Sequence, residues 1–406
     1  MAIFREIPPT AGFPIALREV LALCDPRSYR GSLEADFEHY LKANHAKVTY
    51  SGTAALYFIL ESLKRLSSKK TVIIPSYVCP LVPLAIQRAG LKVAVCDINQ
   101  YDFNFNPTAL DNLCAQSNDI LAIIAVHLAG IAVNLEIIEN IAHTYKLFVV
   151  EDCAQSLGAS FRGKKIGSFS DFSFFSLCRG KGLTTYEGGV VVANNNIYAD
   201  NIEHTCRSLV KNDFLSESLK ISELLGYAMF YRPFLFWFVF RLPELFWNLR
   251  GNRLRGLREE YEVNFPTHRV SGFRKRIAHI CFERLETEIE AQRLKAQCYF
   301  NELVGVNGIR IIQESAGDRA TYPFLVLLFD DPELRNRAYT ALENRGLGVS
   351  QLYAFSIGDY DYLKDFIPSG DSPNGRFIAE GHLTLSTSTF LKTSDITAVT
   401  AFLKHL

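Results

Sequence analysis

Short apolar runs alternate with longer mixed stretches between residue 45 and about residue 195. The runs are Lys47-Val-Thr-Tyr, Thr71-Val-Ile-Ile, Lys92-Val-Ala-Val-Cys, Ile120–Val126, Leu147-Phe-Val-Val, Phe172–Phe175 and Gly189–Ala193. They are rich in β-branched and aromatic residues and lack a polar face, as strands covered on both sides require. Between the earlier ones, Ala54–Leu66, Pro80–Ala89 and Leu135–Tyr145 carry apolar residues at helical spacing. The alternation predicts an open α/β domain, with a parallel sheet covered by helices on each side. In such sheets ligands sit beyond the carboxyl ends of the strands.

Further along, Arg276–Leu303 reads as one long amphipathic helix, with Ile277, Ile280, Leu285, Ile289 and Leu294 among charges. Beyond it, Arg319–Leu328 and His382–Leu385 read as strands, and Pro332–Arg345 and Thr393–Leu403 as helices. These predict a smaller C-terminal α+β domain. The expected division is an N-terminal arm over 1–44 and a large domain over 45–265, with an aromatic insertion at 220–260. A bridging helix and the small domain then fill 266–406.

A chain of 406 residues is too long for one core, so two domains are expected. Hydrophobic residues at 48% and charged residues at 21% describe a folded globular protein. A formal net charge of zero argues against nucleic acid as a partner. The nine cysteines show no metal-finger or CxxC spacing, and a scattered odd set fits reduced thiols. The N-terminus, Met-Ala-Ile-Phe-Arg-Glu, has no signal-peptide pattern. A cytoplasmic location is expected.

Residues 227–247 hold both tryptophans within a dense aromatic cluster. Arg232, Pro233, Arg241 and Pro243 interrupt it, so no apolar run reaches the roughly 20 residues of a bilayer span. Two readings stand: a buried or substrate-capping helix pair, or a peripheral membrane contact whose aromatics dip into the interface.

Three strand ends carry polar residues that packing does not demand. At Tyr50-Ser-Gly-Thr-Ala a strand stops, Gly52 turns and Thr53 opens a helix. That is an ordinary N-cap or an anion site. Asp152 follows the run at 147–150; there a carboxylate caps the next helix, or meets a cation at the sheet edge. Lys181 stands between Gly180 and Gly182. It is not a P-loop lysine, because no Ser or Thr follows it. In a dry pocket such an amine serves as a nucleophile toward carbonyls. Taken together, an amine, an acid and an anion site, with Ser176 beside them, are the parts pyridoxal phosphate needs.

The texts SGTAAL (51–56), IPSYVCP (74–80), AVHLAG (125–130), VEDCAQSLGASFRGKKIGSFSD (150–171) and FSLCRGKGLTTYEGGVVV (175–192) resemble the DegT/DnrJ/EryC1/StrS family of pyridoxal-phosphate sugar aminotransferases. The resemblance implies the fold type I architecture of aspartate aminotransferase, a mostly parallel seven-stranded sheet between helices with a smaller C-terminal α+β domain. It implies that Lys181 carries the cofactor as a Schiff base and moves the proton, and that Asp152 pairs with the ring nitrogen. Gln155 would contact the ring hydroxyl. Ser176, with Gly52 and Thr53, would bind the phosphate. Gly180 and Gly182 would give the lysine room to turn.

Where many members place an aromatic on the cofactor ring, this chain has Cys79, with Tyr77 two residues earlier. Tyr77 is the expected stacking residue, and Cys79 the alternative. The resemblance also implies a homodimer. The stretch Asn264-Phe-Pro-Thr-His-Arg269 stands where a cross-subunit ligand is usual, making Asn264 and Arg269 candidates. No metal is expected.

The implied reaction transfers an amino group from an amino acid, glutamate by resemblance, to a keto-sugar carried on a nucleotide, for cell-surface polysaccharide or related glycans. Relatives that dehydrate sugars have a histidine in place of the lysine, which sets Lys181 against that chemistry. The alternative from another class is a non-catalytic, membrane-peripheral or regulatory protein of the same fold.

Overall fold

The seven apolar runs pair into one sheet. Its strands are β1 (His45–Thr49), β2 (Thr71–Pro75), β3 (Lys92–Cys96), β4 (Ile120–Val126), β5 (Phe148–Asp152), β6 (Phe172–Ser176) and β7 (Gly189–Ala193). The computed structural model describes residues 4–25, 30–250, 261–343, 345–367 and 370–406. Residues 251–260 of the expected aromatic insertion therefore lie outside the described residues, as do 1–3 and 26–29 of the expected arm.

The strand order is β1-β7-β6-β5-β4-β2-β3. Strands β3, β2, β4, β5 and β6 run parallel, and β7 runs antiparallel to both β6 and β1. The reversal follows from connectivity. A loop over 177–188, not a crossover helix, joins β6 to β7, and parallel strands need the crossover.

Register then does the positioning. Val126 pairs with Asp152, Asp152 with Phe174, Ser176 with Gly189, and Gly189 with Thr49. Five strands thus bring their ends, Asp152 and Ser176 among them, along one edge. Every residue of β4 is buried, in keeping with its unbroken apolar sequence. Helix α1 (Gly52–Leu66) leaves β1 at this edge, and helices Leu81–Arg88, Pro107–Ala115 and Leu135–Tyr145 join the next strands.

The smaller sheet is antiparallel, with β8 (Ile309–Ile312), β9 (Phe324–Phe329) and β10 (His382–Ser386) in the order β8-β9-β10. Sequence reading began β9 at Arg319 and missed β8. Tyr322 takes φ +48°, a left-handed conformation that a strand cannot continue through. The single long helix expected over 276–303 is two, Gly272–Phe282 and Leu285–Leu303. Arg284 stands at the break, where it donates to Glu19 and Glu288 and lies over the Phe13 ring.

The aromatic segment follows helix α2 (Phe214–Phe230). A short helix Pro233–Phe236, a π-helical turn Trp237–Arg241 and a helix Leu242–Leu249 make up the rest. It is neither wholly buried nor wholly interfacial. Tyr227 and Tyr231 stack at 4.5 Å and are buried. Phe234, Phe238, Val239, Leu242 and Phe246 are exposed. Among the described residues, no helix is long and apolar enough to cross a membrane. All nine cysteines are free thiols.

The N-terminal arm threads between the two sheets' ends. Arg5 forks onto Asp395 at 3.0 and 2.7 Å. Ala11 N–H donates to the Pro323 carbonyl, and Phe13 N–H to the Lys181 carbonyl at 3.0 Å. The buried tyrosines hold this arm in place. Tyr231 Oη accepts from Gly12 N–H, and Tyr227 Oη donates to the Phe13 carbonyl, each at 2.9 Å.

Candidate active site

The anion site begins with a cap. Ser51 is extended (φ −153°, ψ 166°), and its Oγ accepts the Ala54 N–H at 3.1 Å. Its carbonyl accepts the Ala55 N–H at 2.9 Å. The N–H groups of Gly52 and Thr53 have no acceptor among the described residues. They stand at the positive end of α1, where an anion is favoured. Ser176 ends β6 beside them. A Cβ on Gly52 would lie 3.0 Å from Ser176 Cβ, and one on Gly189 would lie 2.4 Å from the Ser51 carbonyl group. Two glycines thus let three backbone segments converge. Gly52, Thr53 and Ser176 are brought together.

Asp152, at the carboxyl end of β5, is buried, and one carboxylate oxygen accepts the Ala154 N–H at 2.9 Å. Burial lifts its carboxyl to about 6, against the pull of that N–H, of Lys181 and of His127. A carboxyl poised in that range shares a proton readily with a ring nitrogen. The loop bearing Lys181 closes on itself: Leu177 N–H donates to Gly188, Arg179 to Tyr186, and Thr185 to Leu177. Gly180 takes φ +80°, and a Cβ there would lie 2.8 Å from Thr10 Oγ1. Nothing lies within 4 Å of a Cβ at Gly182. Of the two glycines expected to clear space, the backbone demands only Gly180.

Gln155 is held at both ends of its amide. Oε1 accepts the Ala129 N–H at 2.9 Å, and Nε2 donates to Tyr353 Oη at 3.0 Å. The Ala129 N–H points there because this residue sits at φ +55°.

The structure separates Tyr77 from Cys79. Lys181 and Asp152 both act electrostatically on the Cys79 thiol, which burial pushes up to about 11. Tyr77, the expected stacking residue, is engaged at the junction with the C-terminal domain. Its side chain is 1% exposed and its hydroxyl meets the Tyr353 backbone and His382. The cause is chemical: a buried phenol needs hydrogen-bond partners and finds them on the C-terminal domain, whereas the small thiol needs none.

Sequence reading missed Tyr353, which lies far along the chain from every motif and carries no local signal. It missed the arm at Thr10–Phe13 for the same reason. His127 is buried. Its Nδ1 accepts the Val133 N–H at 3.1 Å, and its Nε2 lies 3.4 Å from Glu151. The Glu151 side chain also accepts N–H groups of Gly167, Phe169 and Ser170, as a carboxyl group fully removed from water must. Asn264 and Arg269 are exposed.

The DegT/DnrJ/EryC1/StrS aminotransferase family matches residues 26–229 of this chain. A GDP-perosamine synthase of Vibrio cholerae is 24% identical over 354 residues, which is 83% of this chain and 80% of that protein. A UDP-4-amino-4,6-dideoxy-N-acetyl-beta-L-altrosamine transaminase of Campylobacter jejuni is 36% identical over 157 residues. That match spans 38% of this chain and 41% of the relative. Among solved structures, Helicobacter pylori PseC, an aminotransferase involved in the biosynthesis of pseudoaminic acid, has the same fold. Its TM-score is 0.75 at 17% identity, covering 98% of both chains.

Proposed function

The chain belongs to the DegT/DnrJ/EryC1/StrS aminotransferase family, and from that premise we propose that it aminates a nucleotide-linked keto-sugar, with glutamate as donor. The observation that carries this reading is a buried carboxyl, Asp152, at the carboxyl edge of the sheet within electrostatic reach of Lys181. The residues fit pyridoxal phosphate. Gly52 and Gly189 leave a cradle that a Cβ would fill, with two N–H groups open to an anion.

Pyridoxal phosphate, when bound, supplies an aldehyde for amines and an electron-withdrawing ring. Lys181 Nζ would hold it and would carry the proton. Asp152 would keep a proton on the ring nitrogen. Gly52 and Thr53 N–H groups and the Ser176 hydroxyl would bind the phosphate, and Gln155 would meet the ring hydroxyl. Cys79 would supply a soft apolar contact. The nucleotide-sugar class rests on the names of the two bacterial relatives. The presence of both Lys181 and Asp152 speaks against the dehydratase and non-catalytic alternatives.

We further propose a homodimer, cytoplasmic, with the domain division at 44/45 and 265/266. Helix α2 supports the dimer: Phe214, Leu215, Leu219, Leu225 and Met229 are all exposed, and a chain rarely leaves such a stripe to water. Peripheral membrane contact is the rival use of the neighbouring face at Phe234 and Phe238.

The deciding experiment adds glutamate to purified protein loaded with pyridoxal phosphate. The visible absorption band is expected to bleach, and 2-oxoglutarate to appear in step with amination when keto-sugar nucleotides are supplied. A protein that holds no cofactor, or whose band ignores every amino donor, sinks the proposal.

A further inference from the structure

Tyr353 reaches the pocket from the C-terminal domain, and a single hydroxyl clasps its backbone. Tyr77 Oη accepts the Tyr353 N–H at 3.1 Å and lies 3.1 Å from the Tyr353 carbonyl, to which it donates. Tyr77 Oη is also 3.3 Å from His382 Nε2. The other ring nitrogen of His382 donates to the carbonyls of Ile378 and Ala379, so Nε2 is an acceptor and the imidazole is neutral. It takes the Leu352 N–H at 2.7 Å. The Tyr353 peptide is therefore fixed from both sides.

The phenol continues the chain of bonds. It accepts from Gln155 Nε2 at 3.0 Å, and the Cys79 thiol acts on it electrostatically. Burial raises its pKa well above the usual tyrosine value, so the group works as an O–H and not as a base. Counting donors then settles the amide. Gln155 Oε1 takes the Ala129 N–H, and one Nε2 hydrogen goes to Tyr353. One Nε2 hydrogen remains. Without the phenol oxygen, the last torsion of the glutamine is broad and soft.

We infer that Tyr353 is a positioning residue: its hydroxyl orients the Gln155 amide so that the remaining N–H faces the cofactor pocket, and Tyr77 clamps Tyr353 in place. This rests on the proposed reading of Gln155 as the partner of the ring hydroxyl of pyridoxal phosphate. It also gives Tyr77 a purpose other than stacking.

The test is Tyr353→Phe in the full-length protein loaded with pyridoxal phosphate, read by pH titration of the visible absorbance. Losing the aligned donor is expected to move the midpoint up by about half to one pH unit, the scale of one net hydrogen bond. In a Gln155→Ala background the same change is expected to leave the midpoint where Gln155→Ala puts it, because the phenol acts only through that amide. A wild-type midpoint in Tyr353→Phe, or an undiminished shift without Gln155, overturns the inference. If wild type takes up no cofactor, the aminotransferase reading fails instead. If Tyr353→Phe does not fold, Tyr77→Phe decides, since it frees the Tyr353 backbone and keeps the phenol. It is expected to shift the midpoint in the same direction by less, and an unmoved midpoint overturns the inference.

Discussion

Arg274 and Glu217 meet as a forked ion pair inside the protein, with Nε on Oε1 at 2.7 Å and Nη2 on Oε2 at 2.5 Å. The guanidinium is fully buried and also donates to the carbonyls of Thr185 and Glu187 in the Lys181 loop. One side chain thus ties α2 to the loop that carries the candidate nucleophile. Replacing Arg274 by Ala strands the Glu217 carboxylate and is expected to cost about 3–5 kcal/mol. Urea unfolding measures it. Arg274→Lys keeps the charge but loses the fork, and is expected to recover less than about half of that loss.

Lys181→Ala is expected to yield a colourless protein when pyridoxal phosphate is added and the excess removed, beside a coloured wild type. Turnover with a keto-sugar nucleotide is expected to fall by at least about 10²–10⁴-fold, the range of a lost acid–base group. A variant that keeps both colour and turnover removes Lys181 from its assigned role.

Asp152 gives stability a defined pH dependence. Its carboxyl stands at about 6 in the folded protein against 3.8 when exposed. Between those values the folded chain holds a proton that the unfolded chain has released. Folding is therefore favoured on the acid side, and the term costs about 3 kcal/mol once pH has risen through the window. Asp152→Asn lacks this titration. Without cofactor, its stability relative to wild type is expected to climb between about pH 4 and about pH 7, as read by urea unfolding. His382, lowered to about 4, works in the opposite direction, so the difference between the two proteins is the quantity to follow. A flat difference would show that Asp152 is hydrated.

Gly189→Ala sets a methyl 2.4 Å from the Ser51 carbonyl and 2.6 Å from the Gly52 nitrogen. Overpacking of this kind costs about 1–3 kcal/mol. The displaced Gly52 N–H is expected to weaken cofactor binding by about tenfold, the loss of one hydrogen bond to an anion. Equilibrium titration with pyridoxal phosphate checks this, with Gly182→Ala as the unaffected control.

Two neighbouring apolar faces can be tested apart. Leu219→Glu with Met229→Glu, both exposed on α2, is expected to turn a dimer into a monomer in light scattering. Phe234→Ser with Phe238→Ser is expected to leave the dimer intact. If anionic vesicles capture wild type and lose the second variant, the membrane use of that face is established.

Much of this was legible along the chain, for a local reason. A strand buried on both faces must be apolar throughout, so β2, β4 and β7 announce themselves within a few residues. A helix start needs a cap, so Ser51-Gly52-Thr53 reads as one. Boundaries failed where the backbone turns left-handed, as at Tyr322, or breaks within a continuous amphipathic pattern, as at Arg284. Neither leaves a trace in hydrophobic period.

Position along the chain placed Asp152 and Ser176 at strand ends and Lys181 in the loop after Ser176, because the apolar runs mark where the strands stop. Only the folded molecule decided that Tyr77 is buried against His382, that Gly182 has room to spare, that Tyr353 meets Gln155, and that Phe13 meets the Lys181 backbone. Those outcomes depend on contacts between residues distant along the chain, such as Tyr77 with His382 or Lys181 with the N-terminal arm. Such contacts are set by which segments pack together, and no short stretch of sequence encodes that.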